Sequence, residues 1–149
     1  MFFASLMPLF AQLNTSTYMK RIILLALAAI MSLTCSYAQQ KQADVFVPIG
    51  KYIQHGDADK LSAWFASNLE LDMLGSVSSC SKVQATQIMK DFFVNYTPKS
   101  FSIIHKSGKA PLTYAIGSLS AGGEKFRVTL FVMTQEKGNQ IQQLRIERE

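Results

Sequence analysis

The stretch Asp57-Ala58-Asp59-Lys60-Leu61-Ser62-Ala63-Trp64-Phe65 follows directly on His55-Gly56, and together they read as a sharp corner between two helices. Ahead of the corner, Phe46, Ile49 and Ile53 recur at the spacing of one buried helical face, with Tyr52 widening the stripe. Gly56 has no Cβ to oppose the left-handed conformation that closes a helix, and Asp57 can cap the next helix by accepting from its free amides. Leu61, Trp64 and Phe65 resume the helical spacing beyond the corner. The expected first helix runs from Asp44 to His55, with Pro48 close enough to its start to be tolerated, and the second covers Ala58 to Ser67.

Downstream, Asn68 to Met73 alternates apolar and polar residues, the period of a half-buried strand with Leu69, Leu71 and Met73 toward the core. Gly75 to Ser79 is small and polar and reads as a loop. Ser81-Lys82-Val83-Gln84 has the form of a capping box, and Ala85, Ile88, Met89, Phe92, Phe93 and Tyr96 follow along one helical face until Thr97-Pro98 ends the helix. From there the pattern predicts strands over Lys99–Lys106, Leu112–Ser120, Lys125–Gln135 and Gln140–Glu147. The breaks at Ser107-Gly108, Ala121-Gly122-Gly123 and Lys137-Gly138-Asn139 are short enough to make neighbours antiparallel.

The amino terminus carries a different message. Lys20-Arg21 precedes an apolar run from Ile22 to Met31, and Ser36 and Ala38 place small residues where a signal peptidase needs them, so residues 19–38 read as a secretory signal cut between Ala38 and Gln39. The run is too short for the roughly 20 apolar residues of a membrane span. Residues 1–18 precede a methionine that opens a complete signal, and are expected to be a mis-assigned extension. A lipid anchor on Cys35 is not expected, because Thr34 stands where lipoprotein signals carry a small residue and Ser32 where they usually carry Leu. The remaining chain, 39–149, is long enough for one domain with a modest core. Setting aside Lys20 and Arg21 leaves thirteen Lys and Arg against ten Asp and Glu, scattered rather than clustered, which gives no footprint for nucleic acid. Cys80 is the one cysteine left, so no internal disulfide can form.

The order helix, helix, strand, helix and four-strand meander, with Gly56-Asp57, Leu61, Trp64, Phe65 and the Ser81–Tyr96 helix, resembles the nuclear transport factor two-like superfamily. That superfamily also holds the ketosteroid isomerases and SnoaL-like cyclases, and the chain looks most like its small exported domains of unknown function. The resemblance implies an α+β cone: three N-terminal helices packed on a strongly bent antiparallel sheet, with a pocket at the wide end.

In the enzymes of that superfamily an acid or a His–Asp pair moves protons inside the cone, helped by a Tyr. Here His105, Tyr96, Tyr114 and Asp72 are the conceivable parts. If the third strand is regular, His105 shares a face with Phe101 and Ile103, while Tyr114 shares one with Leu112 and Ile116, and both could line the cone. The competing reading places His105 at a solvated strand end and Tyr114 as a packing residue. No catalytic motif of the superfamily maps onto these positions. His55, Asp57 and Asp59 suggest a metal cluster, but a cap and a first-turn carboxylate explain the acids, and calcium would need more oxygen ligands. No metal or cofactor is therefore assigned. Cys80 precedes a helix start, where a thiol can be activated, or is simply a small packed residue.

The favoured expectation is an exported, non-catalytic binding or interaction domain. A proton-transfer enzyme of the isomerase or dehydratase type and a structural subunit of an envelope complex are the alternatives. The partner would be a small apolar ligand, an envelope protein or a second copy. Lys125, Arg127, Thr129, Phe131 and Met133 share one strand face, and since the resemblance implies a fold whose sheets commonly dimerise face to face, a homodimer would account for the two apolar residues.

Overall fold

The computed structural model describes residues 17–26 and 43–149. Residues 17–26 form an exposed helix, α1, and no helix among the described residues is long and apolar enough to cross a membrane. Cys35 and the expected cut after Ala38 lie outside the described residues.

Helix α2, Phe46–His55, buries Phe46, Ile49 and Ile53 on the face that the sequence marks. It ends at Gly56 with φ 64° and ψ 28°, the left-handed cap, and the Asp57 amide returns to the Tyr52 carbonyl at 2.9 Å. Asp57 then caps α3, Ala58–Ser62, its Oδ1 accepting from the Lys60 amide at 3.0 Å. Gly56→Ala should destabilise the domain by about 1 kcal/mol or more, because a Cβ there is strained by the backbone and would meet Pro98 at 3.3 Å. Asp57→Ala should cost about the same through the lost cap. Urea melts of both variants check the corner, and two unchanged midpoints would contradict it.

α3 stops at Ser62, five residues short of the expected end at Ser67. The chain is captured instead by the sheet: the Ile141 amide donates to the Trp64 carbonyl at 2.6 Å, and strand β1, Phe65–Met73, begins at the next residue. Phe65 is therefore a core residue of a strand, not of a helix. The stretch expected as a loop is also a strand, β2, Ser76–Ser81, antiparallel to β1. The capping box is present at α4, Lys82–Asn95, with the Gln84 amide 3.3 Å from Ser81 Oγ and the Ser81 amide 2.9 Å from Gln84 Oε1.

The meander follows as β3, Pro98–Lys109; β4, Leu112–Ala121; β5, Glu124–Gln135; and β6, Gly138–Arg148. The six strands form one curled sheet in the order β2-β1-β6-β5-β4-β3. The α+β class stands, with one correction: β6 lies parallel to β1, so the sheet is mixed rather than wholly antiparallel.

Helices α2, α3 and α4 cover the inner face. Ile49, Ile53, Leu61, Phe65, Met89 and Leu130 are among the side chains that fill the space between helices and sheet, each with at most 1% of its surface exposed. β4 turns small residues inward: Ala115, Gly117 and Ala121, with Leu119 as the exception. The reason lies on β3. Phe101 leans across Gly117, where a Cβ would fall 2.3 Å from the ring, while Gly50 of α2 closes on the same ring from the helix side.

Candidate functional site

Since inner positions of β4 and β5 are fixed by the core, the alternate residues point outward. On β4 these are Leu112, Tyr114 and Ile116, then Ser118 and Ser120; on β5 they are Lys125 and Arg127, then Thr129, Phe131 and Met133. The strands are paired so that Ser118 meets Arg127, Tyr114 meets Phe131 and Leu112 meets Met133. The outer face thus grades from hydroxyl and cationic groups at the β4–β5 turn to apolar ones at the β3–β4 turn. Tyr114 stacks on Phe131 with ring centroids 5.5 Å apart, and Leu112 remains 43% exposed beside them.

His105 joins this patch because β3 is not regular. Ile103 pairs with Gly117 and His105 with Ile116, leaving Ile104 as the extra residue of a β-bulge. The bulge inverts the alternation. Phe101 and Ile103 face α2, Lys106 turns inward to pair with Asp44, and His105 turns outward to lie 5.9 Å from the Tyr114 ring. The shared face of His105 with Phe101 and Ile103, expected for a regular strand, is corrected by that single residue. Tyr114 keeps its expected companions Leu112 and Ile116, but their face looks away from the cone interior.

Tyr96 and Asp72 stand elsewhere. Tyr96 caps the end of α4, packs on Phe126 at 5.0 Å, and receives a 2.7 Å hydrogen bond from Arg148 Nη2. It neighbours Gly122, eight strand residues or roughly 26 Å along β4 from Tyr114. Asp72 lies on the outer face of β1, about four strand spacings or roughly 19 Å across the sheet from His105. Its Oδ1 accepts from the Gly75 amide at 3.2 Å, and its Oδ2 is 3.0 Å from Arg145 Nε. That last contact is an ion pair without hydrogen-bond alignment, since the Nε–H finds no acceptor. Of the four residues, only His105 and Tyr114 meet.

The outer face of β1, β6 and β5 carries both signs of charge. Glu70 is hydrogen-bonded by Gln143 Nε2, Asp72 pairs with Arg145, and Arg127 lies opposite Glu147.

The other candidates are absorbed by structure. Asp57 is a cap, Asp59 pairs with Lys90 at 2.7 Å, and His55 Nδ1 lies 2.7 Å from the Lys51 carbonyl. Among the described residues no group of three or more metal-ligating side chains is close enough to hold an ion. Cys80 is buried against its cross-strand neighbour Leu69, and that burial pushes its thiol up rather than activating it. Between α2 and β3 runs an open groove lined by Phe46, Gly50, Gln54 and Phe101. The Asp44–Lys106 pair lies along it, and the Lys106 hydrogen bond holds the Asp44 carboxyl below the usual carboxylate range.

The helical cover over a curled mixed sheet, entered through the Gly56-Asp57 corner, is the NTF2-like fold. A family profile described as Domain of unknown function (DUF4783) matches residues 46–147, and the chain belongs to that family. The structure is similar to a DUF4783 protein from Bacteroides uniformis, with TM-score 0.68 and 23% identity, covering 71% of this chain and 98% of that one. A DUF4783 protein from Bacteroides fragilis gives TM-score 0.67 and 22% identity over 71% and 100% of the two chains. A candidate dehydratase of the NTF2-like family from Streptomyces avermitilis shares the fold at TM-score 0.53 and 12% identity, over 69% of this chain and 89% of that one. No curated protein matches the chain.

Proposed function

We propose that this protein is an exported, non-catalytic interaction domain that acts by joining the outer face of its sheet to the same face of a second copy. The observation that carries the reading is the patch of Leu112, Tyr114, Ile116, Phe131 and Met133, side by side on the face of β4 and β5 that points away from the core. A twofold interface must be complementary to itself. This face meets that requirement with an aromatic half that can bury against its equivalent, and a charged half in which Arg127 and Arg145 stand beside Glu70 and Glu147. The scatter of His105, Tyr96 and Asp72 weighs against a proton-transfer site. Export rests on Lys20-Arg21 and the apolar run after it.

Two measurements test the reading. Intact mass of the protein recovered from the envelope or medium should begin at Gln39, and retention of the full leader in the cytoplasm would refute export. In sedimentation at micromolar concentration the wild type should be a dimer. Phe131→Asp should be a folded monomer with an unchanged circular dichroism spectrum, because the residue points away from the core, and its melting temperature should fall with the loss of the partner. A monomeric wild type would refute the sheet-face reading.

A further inference from the structure

The apolar patch contains one histidine, and among the described residues no acid lies beside it on the sheet. His105 lies on the patch beside Tyr114, which stacks on Phe131. Facing it across the β3–β4 pairing are Ile116 and Tyr114, and no residue of β4 is charged. On its own strand the charged groups are Lys99, Lys106 and Lys109, all cationic, and no acid occurs anywhere in residues 98–121. Lys106 is on the other face and is engaged by Asp44, and Lys51 of α2 lies on that side too. The nearest outer-face charges on β5 are Arg127 and Lys125. The outer-face acids Glu70 and Asp72 are strands away and already engaged by Gln143 and Arg145, while Glu147 lies across from Arg127.

We infer that His105 makes the sheet-face association proton-sensitive: the two copies join while both imidazoles are neutral and separate when they are protonated. The inference rests on the sheet-face reading above. A neutral imidazole can be buried against tyrosine and isoleucine at modest cost. An imidazolium brought into the same contact loses its water, gains no anion, and meets its own equivalent and the lysines of the hairpin. The bulge at Ile104 is what creates the device, because a regular strand would present a lysine or an isoleucine there instead.

The sign follows from linkage. A dimer that excludes the proton is favoured above the imidazole's titration range and lost as pH falls through it. Two copies that each exclude one proton weaken association on the order of 100-fold between about pH 8 and about pH 5.5.

The test is analytical ultracentrifugation of the processed protein at both pH values, with His105→Gln, His105→Phe and, as a control, His55→Gln. The wild type and His55→Gln should lose affinity by about the stated factor at the lower pH. His105→Gln and His105→Phe should dimerise nearly equally at both. Circular dichroism at each pH reports whether the fold persists. Equal dimerisation of the wild type at both pH values, or a pH dependence that survives in both His105 variants, overturns the inference and leaves the sheet-face reading standing. A wild type that is monomeric throughout overturns both.

Discussion

Phe126→Ala is expected to lower the unfolding free energy by about 3–5 kcal/mol, the range for removing a fully buried aromatic ring. Phe126 is completely buried on the inner face of β5. Its ring meets Phe92 at 5.3 Å and Tyr96 at 5.0 Å, both edge-on, and so joins the last turn of α4 to the sheet. The site has little freedom to collapse, because Tyr96 is held from outside by Arg148, which is itself hydrogen-bonded to Glu124 at 2.9 Å. Urea denaturation measures the loss. A value under about 1 kcal/mol would mean that α4 is docked by other contacts.

Gly117→Ala should cost about 1–3 kcal/mol through overpacking. The added carbon would stand 2.3 Å from Phe101 Cζ and 3.0 Å from the Ser102 carbonyl oxygen. The ring cannot swing aside easily, since Gly50 of α2 approaches it from the other direction. The diagnostic variant is the pair. Phe101→Leu combined with Gly117→Ala should be more stable than the sum of the two single losses predicts, because each change relieves the other. Strict additivity would show that the close approach is not what makes glycine necessary.

The helix corner, the capping box and the four-strand meander are legible in the sequence because each has a local cause: a left-handed glycine, a reciprocal pair of side-chain bonds, a period of two. What is not legible has a non-local cause. β2 is Ser76-Val77-Ser78-Ser79-Cys80-Ser81, in which only Cys80 is buried, and its pairing is dictated by β1 rather than by any pattern of its own. α3 ends early although Leu61, Trp64 and Phe65 keep helical spacing, because β6, far away in sequence, claims the backbone at Trp64. On β4 the outward set Leu112, Tyr114 and Ile116 is bulkier than the inward set Ala115, Gly117 and Ala121, so hydropathy suggests the reverse of the actual orientation. Gly117 flanked by alternating small residues was the available clue that a ring from the neighbouring strand lies over them. The bulge at Ile104 has no signature in the stretch Ile103-Ile104-His105 at all, and it alone decides where the histidine points.

The parallel pairing of β1 with β6 also governs when this domain can exist. Glu70 and Gln143 touch although they lie 73 residues apart, and β6, the final strand, is inserted between β1 and β5. Until β6 is in place, the β1–β2 hairpin and the β3–β4–β5 ribbon share no strand pairing, and the core lacks Ile141, Leu144 and Ile146. Closure of so distant a contact is slow relative to hairpin formation. A chain whose β6 is still held in a narrow channel therefore lacks the strand that unites its sheet.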